Sequence, residues 1–273
     1  MKEVIYLVQG RSDLVKEYYH LQVRENADAI FLTYDRKIDG AIYFPDSTWA
    51  EGRNKLLAAA AEKGEYLYFI FCDDDIEFEK GNWDEYEKLL LRYKPAIGCP
   101  VFPRTKKTKI RFLIFQVFLV NDEQMIALHR DVINDFIIFP LQTCLDKIHW
   151  WSSCFIQQIL IHNFYRYNSL QFNNIEILNN EHNRYDNSNK EIYKKESNKW
   201  LAEQFAKSYN KLTGQNNYNV MVKIKALIFT IRFFVSRKLK PASYRISKKK
   251  LLKSLKKDSI LIKQYNQFNS KTL

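Results

Sequence analysis

The chain has 273 residues, 46% hydrophobic and 15% aromatic, with only 7 Gly and 6 Pro, so it can bury a real core and is neither disordered nor collagen-like. A mean hydropathy of −0.41 argues against a polytopic membrane protein, as does the lack of any apolar run of about 18 residues. The net charge of +12 is unevenly placed: residues 221–273 hold 15 Lys/Arg and one acid, Asp258, whereas residues 1–220 hold 28 Lys/Arg against 30 Asp/Glu. A basic tail on a near-neutral body points to an anionic partner, either a membrane surface, nucleic acid or an acidic protein. Met1–Val8 lacks the longer apolar run of an export signal. The four cysteines, Cys72, Cys99, Cys144 and Cys154, form no C-x-x-C pair and are expected as reduced thiols in a cytosolic core.

In chain order, Val4–Val8 reads as a strand ended by Gly10, and Leu14–Val23 as a helix with Ser12 at its N-cap. Strands are predicted over Ala29–Tyr34 and Ala41–Phe44. Ser47 or Thr48 then caps a helix that runs through an Ala-rich stretch to Gly64. Tyr66–Phe71 is an apolar run of strand length. Trp83–Tyr93 reads as a helix, Ala96–Val101 as a strand, Ile110–Val120 as a long strand, and Met125–Phe136 as a helix or a strand-to-helix step. An amphipathic helix over Ile148–Phe164 precedes a last strand over Asn168–Leu178, a polar loop over Asn179–Asn189 and a helix over Glu191–Leu212. Apolar strands without alternation, separated by helices, predict an α/β fold with a mixed, mostly parallel sheet flanked by helices. Asp35, Asp46 and Asp73–Asp75 each follow a predicted strand. They are expected at the carboxyl edge, where such sheets bind ligands.

The tail separates by composition. Residues 1–215 form the expected catalytic body and 216–273 a basic helical extension. Met221, Ile224, Leu227, Ile228, Ile231, Phe234 and Val235 fall on one helical face, with Lys225 and Arg232 on the other, and a Lys-rich stretch follows over Ser247–Lys257. This pattern fits an interfacial anchor on an anionic membrane. A helix packed on the body with a solvated basic face is the plainer alternative.

The chemistry centres on Cys72-Asp73-Asp74-Asp75 at the end of a buried strand. Adjacent carboxylates raise one another's pKa unless a cation neutralises them, and Mg²⁺ or Mn²⁺ prefers such oxygen donors and bridges to phosphates. On an extended segment Asp73 and Asp75 point to the same side; a solvated acidic turn is the bland reading. Upstream stand Gly52-Arg53-Asn54 opening a helix, then Glu65-Tyr66 and the apolar strand into the aspartates.

This order resembles the nucleotide-sugar half of GT-A-fold glycosyltransferases, family 2-like members above all, over about residues 41–80. The resemblance implies a Rossmann-like GT-A sheet and a metal held between Asp73 and Asp75 on a sugar-nucleotide diphosphate. Asp75 is then the metal ligand, with Asp73, Asp74 and Arg53 at the nucleotide. It also places Asp35 where the nucleobase or ribose is held, although the usual Ser-x-Asp after the second strand is missing. Asp146, just before His149-Trp150-Trp151, matches the acceptor-facing acid and is the candidate catalytic base. His182 matches a C-terminal histidine on the metal or diphosphate, and Arg184 offers a phosphate contact. The implied activity is metal-assisted sugar transfer from a nucleotide-diphosphate donor to a glycan or lipid-linked acceptor. The setting would be bacterial surface polysaccharide or lipopolysaccharide synthesis, on the inner face of the cell membrane. A nucleotidyltransferase is the alternative, though Gln9-Gly10-Arg11-Ser12 is a poor phosphate loop. A non-catalytic basic membrane- or nucleic-acid-binding protein is another, but the body is slightly acidic and carries no nucleic-acid motif, so no nucleic acid is expected as partner.

Overall fold

The computed structural model describes residues 2–103, 105–106, 109–110, 112–117, 123–179, 190–205, 224, 227–231, 244–246 and 253–269. The strands are β1 (Val4–Gly10), β2 (Ala27–Thr33), β3 (Ala41–Tyr43), β4 (Tyr68–Asp73), β5 (Ile76–Lys80), β6 (Ile97–Val101), β7 (Phe115–Val117), β8 (Met125–His129) and β9 (Ser169–Asn179). The helices are α1 (Ser12–Val15), α2 (Trp49–Lys63), α3 (Trp83–Tyr93), α4 (Arg130–Asn134), α5 (Trp151–Phe164), α6 (Lys190–Gln204) and α7 (Ile260–Asn269). A 3-10 helix (Lys16–Val23) follows α1.

The strands form one sheet in the order β3-β2-β1-β4-β8-β6-β9-β5, with β7 also on β9. β1, β2, β3, β4, β6 and β9 run in one direction and β5, β7 and β8 in the other, so the sheet is mixed and mostly parallel. Every residue of β1 is buried, as expected for a central strand covered on both faces. The chain lays β2 and β3 to one side of β1 and then crosses back to place β4 on the other. That reversal makes the carboxyl ends of β1 and β4 a topological switch point, the general ligand position in open α/β sheets.

α2 lies against β1 and β2. Its Ala-rich middle favours helix. Thr48 and Glu51 close its start reciprocally: the Thr48 hydroxyl accepts from the Glu51 N–H at 3.2 Å, and the Glu51 carboxylate accepts from the Thr48 N–H at 2.9 Å.

Several expected elements differ. The helix predicted over Leu14–Val23 is a single α turn followed by 3-10 helix; its buried residues Val15, Tyr18 and Leu21 recur every third position, which is the 3-10 period. Ser12 does not cap it, because its hydroxyl is drawn to Asp35 instead. Of the long strand over Ile110–Val120 only Phe115–Val117 is strand, and Phe118–Val120 lies outside the described residues. α5 is not amphipathic: Ser152–Gln157 and Ile159–Ile161 are all buried, so apolar and small polar residues face protein on nearly every side. Met125–Asn134 does make the strand-to-helix step. Cys144 is exposed, whereas the other three thiols are buried.

The described part of 216–273 packs on the body. Leu255, Leu261 and Ile262 are buried, and Leu255 bridges to Phe205. The N–H groups of Tyr244 and Ile246 donate to Asp131 at 3.1 Å and Asp135 at 2.9 Å. Among the described residues no helix is long and apolar enough to cross a membrane.

Candidate functional site

The carboxyl edge is assembled by residues that each join two elements. In the Gly52-Arg53-Asn54 triplet at the start of α2, all three do so. A Cβ on Gly52 would sit 2.6 Å from the Gln9 Oε1, so glycine leaves room for the Gln9 amide between α2 and the end of β1. Asn54 clasps the backbone of Leu141, accepting from its N–H at 2.7 Å and donating to its carbonyl at 3.0 Å. That contact ties α2 to the loop that carries Asp146.

Arg53 reaches the end of β4. Its side chain is 1% exposed, and Nη2 donates to Asp73 Oδ1 at 2.7 Å and to the Glu123 carbonyl at 2.8 Å. The guanidinium carbon lies 4.4 Å from the centre of the Trp49 ring and 5.5 Å from that of Phe71. Its Nε and Nη1 are buried with no acceptor among the described residues. The Trp49 indole N–H donates to the same Asp73 oxygen at 3.2 Å. Asp73 is therefore the counter-charge of a buried cation, and its Oδ1 faces inward.

β4 ends at Asp73, and Asp74 and Asp75 turn the chain into β5. The extended alternation that would aim Asp73 and Asp75 alike is thus broken by the turn. Tyr18 clamps that turn, its hydroxyl donating to the Ile76 carbonyl and accepting from the Ile76 N–H, both at 2.9 Å. Asp74 folds over Gly10, where a Cβ would lie 2.0 Å from the Asp74 Cγ. It accepts from the Arg11 N–H at 2.6 Å. Burial pushes the Asp74 carboxyl up to about 6, with the Asp73 charge adding and the Arg11 N–H opposing.

Asp35, just past β2, accepts from the next N–H, that of Ser12 at 2.8 Å, and from the Ser12 hydroxyl at 2.9 Å. Burial pushes it up, but the Ser12 bonds together with the N–H groups of Asp35 and Arg36 outweigh this and leave it below the usual carboxylate range. Two consecutive N–H groups after β1 thus hold Asp74 from one side and Asp35 from the other. Tyr34 beside them is 42% exposed, and burial together with the Asp74 charge lifts its phenol to about 12.

Asp146 joins this edge through α2. Thr48 donates to its Oδ2 at 2.6 Å, while the neighbouring Trp49 holds Asp73, so consecutive residues carry the two carboxylates. The Ser153 hydroxyl donates to the other oxygen of Asp146. Burial raises the Asp146 pKa against these two hydroxyl bonds. Trp150 and Trp151 are half-buried among His149 and Tyr193. Asp46 is exposed in the loop after β3. His182 and Arg184 lie outside the described residues.

The sequence reading picked out Thr48 only as a helix cap, and did not pick out Gln9, Tyr34, Trp49 or Glu123 as site residues. An aromatic residue directly before Asp35 was a usable signal for Tyr34. Glu123 acts through its backbone carbonyl, which leaves none.

Hard oxygen donors are present for a divalent cation. Among the described residues, however, no group of three or more His, Cys, Asp or Glu side chains could hold a metal ion. An open groove lined by Ala29, Phe31, Ala41, Ile42, Ala59 and Lys63 lies toward the other end of α2, and none of these aspartates lines it.

No protein-family model matches the sequence, and no curated protein is significantly similar to it. Among solved structures, the chain is similar to A197 from STIV at 10% identity and a TM-score of 0.42, covering 65% of this chain and 84% of that one. It is similar to CMP:2-keto-3-deoxy-manno-octonic acid synthetase complexed with CTP at 15% identity and a TM-score of 0.38, covering 65% and 89%. It is also similar to the inositol-1-phosphate CTP transferase from T. maritima at 12% identity and a TM-score of 0.35, covering 71% and 94%.

Proposed function

We propose that this chain is a nucleotide-dependent transferase, and that the group it moves is a sugar from a nucleotide-diphosphate donor. The observation that carries the reading is the meeting of Gly10, Asp73, Asp74 and Asp35 at the crevice where the strand order reverses between β1 and β4. In this reading the nucleobase stacks on exposed Tyr34, and the ribose hydroxyls donate to Asp35 beside it. Asp75, with the outward part of Asp73, holds a Mg²⁺ or Mn²⁺ ion on the diphosphate. When bound, that ion offsets charge on the leaving diphosphate.

Asp146 takes the proton from the acceptor hydroxyl; burial makes it more basic than an ordinary aspartate. To do so it must release Thr48 or Ser153. The acceptor is a glycan or a lipid-linked glycan at the inner membrane face, where the basic C-terminal segment would hold the enzyme.

Nucleotidyl transfer is the second reading, since carboxylates with Mg²⁺ serve it equally. One feature weighs against it. A triphosphate is commonly cradled by backbone N–H groups after the first strand, and here those of Arg11 and Ser12 are occupied by Asp74 and Asp35.

The test is a thermal shift of the full chain with Mn²⁺ and a panel of nucleoside diphosphates, beside Asp35→Ala and Asp75→Asn. Ligand at 100 times its dissociation constant should stabilise by about 2.7 kcal/mol. A metal-dependent shift lost in both variants supports the site, and no shift with any nucleotide sinks it. Product analysis then separates the readings: sugar transfer releases a nucleoside diphosphate, and nucleotidyl transfer from a triphosphate releases pyrophosphate.

A further inference from the structure

The helical residues 227–231 present two unlike faces. The inward one is fastened at two points. The Thr230 hydroxyl, buried, accepts from the N–H of Val117 at the end of β7 at 2.9 Å. The Phe229 ring stacks on Tyr167 with centroids 4.2 Å apart and an interplanar angle of 22°. These contacts set the rotation of the helix on the sheet, and with it which residues look outward.

What looks outward is apolar. Ile228 is 55% exposed, Ile231 58%, Ile224 45% and Leu227 37%. Scattered exposed apolar residues need no explanation, but the spacing of Ile224, Leu227, Ile228 and Ile231 puts four of them on one helical face. The sequence around them is strongly cationic: Lys223, Lys225, Arg232, Arg237, Lys238 and Lys240 lie within it, and 221–273 has 15 Lys/Arg and a single acid.

We infer that the exposed side chains of Ile224, Leu227, Ile228 and Ile231 form a membrane-docking surface that inserts into the headgroup boundary of an anionic bilayer. An apolar face in a segment whose sequence is strongly cationic fits that partner on two counts, burial of the isoleucines and attraction of the Lys/Arg to acidic headgroups. Thr230 and Phe229 make the docking rigid, so the bilayer plane is set relative to β7 and to Tyr167, just before β9. The inference rests on the membrane-facing part of the proposed function and names the residues that insert; its test needs no nucleotide, so its failure is distinct from failure of the transferase reading.

The experiment is co-sedimentation of the full chain with vesicles of phosphatidylglycerol and phosphatidylcholine in equal parts, against phosphatidylcholine alone. Wild type should bind the anionic vesicles and not the neutral ones. Ile228→Gln/Ile231→Gln should lower binding about tenfold or more while leaving the melting temperature unchanged, because both side chains are on the surface. A second variant, Lys248→Glu/Lys249→Glu/Lys250→Glu, leaves the patch intact and should remove the preference for anionic lipid. Unaltered vesicle binding by the isoleucine variant would overturn the inference. So would failure of wild type to bind anionic vesicles, or binding of nucleic acid in their place. A dimer in sedimentation velocity that the isoleucine substitutions dissociate would overturn it too, by showing that a second copy covers the face.

Discussion

Arg53 and Asp73 form an ion pair whose two members are unequally buried, and that inequality predicts which one the fold can spare. The Arg53 side chain is 1% exposed and that of Asp73 23%. Asp73→Ala leaves a guanidinium sealed between Trp49 and Phe71 with the Glu123 carbonyl as its remaining described acceptor. Stranding a buried charge in this way costs about 3–5 kcal/mol. At roughly 2–4 °C per kcal/mol for a chain of this size, the melting temperature should fall by roughly 6–20 °C. Arg53→Met leaves the other partner, but that partner reaches water, and a flexible thioether can fill the slot between the two rings. The expected cost there is about 1–2 kcal/mol. The double variant should be no less stable than Asp73→Ala alone, because once the cation is gone the missing carboxylate strands nothing. Urea denaturation followed by circular dichroism, with the singles and the double compared in a cycle, measures all three. If Arg53→Met proves as costly as Asp73→Ala, or the two losses simply add, the pair is not what holds the end of β4.

Three further outcomes follow from the same edge. Asp74 has a folded pKa of about 6, above its ordinary value near 4, so the folded state favours the protonated form. Its cost to folding is absent below about pH 4 and complete above about pH 6. Asp74→Asn should therefore be more stable than wild type at neutral pH by up to about 2–3 kcal/mol, with the gap closing on acidification; a gap constant from pH 4 to about 8 would refute the burial argument. Gly10→Ala places a methyl where Asp74 now lies. It should cost about 1–3 kcal/mol and abolish any nucleotide-induced thermal shift, and a variant that keeps the full shift would show that Asp74 can vacate the crevice freely. Thr48→Val removes both the helix cap and a donor to Asp146, and should cost about 1–2 kcal/mol by denaturant titration. Thr48→Ser should recover most of that loss.

The parallel half of the sheet was legible because its strands are buried on both faces and so read as unbroken apolar runs; Val4–Val8 and Phe69–Cys72 are clear cases. α3 was read over its observed span, Trp83–Tyr93, because its apolar stripe has helical spacing. β5 was missed. It alternates Ile76 and Phe78 with charged residues, and it exists by pairing with the distant β9, a long-range partner that local sequence does not reveal. α7 falls within the extension expected to be helical, but its bounds were not legible: Leu261 and Ile262 are buried, and the Ile260 N–H donates to Gln204 at 2.8 Å, a partner far along the chain. The aspartate cluster was legible as composition but not as geometry. Nothing in Asp73-Asp74-Asp75 says that the first looks inward to Arg53, that the second lies over Gly10, and that the strand ends between them.

That division bears on what the motif reports. Gly52 admits Gln9, Arg53 neutralises Asp73, and Asn54 binds the backbone of Leu141, so the triplet and the first aspartate are engaged in joining β1, β4 and the 141–146 loop to α2. Residues so engaged are needed to build this crevice whatever group is moved across it. In the proposed transferase reading, the choice of substrate then rests on side chains that keep a face toward solvent: Tyr34 and Asp35 on the β2 side, Asp75 in the turn, and Trp150 near Asp146. Substitution among these should change which nucleotide or acceptor is used while leaving the melting temperature nearly unchanged. Substitution in the triplet should lower stability and activity together. A Tyr34→Ala variant that melts like wild type yet loses its preference among nucleobases would place specificity on the exposed set. One that unfolds would move Tyr34 to the scaffold, and the base would have to be read elsewhere.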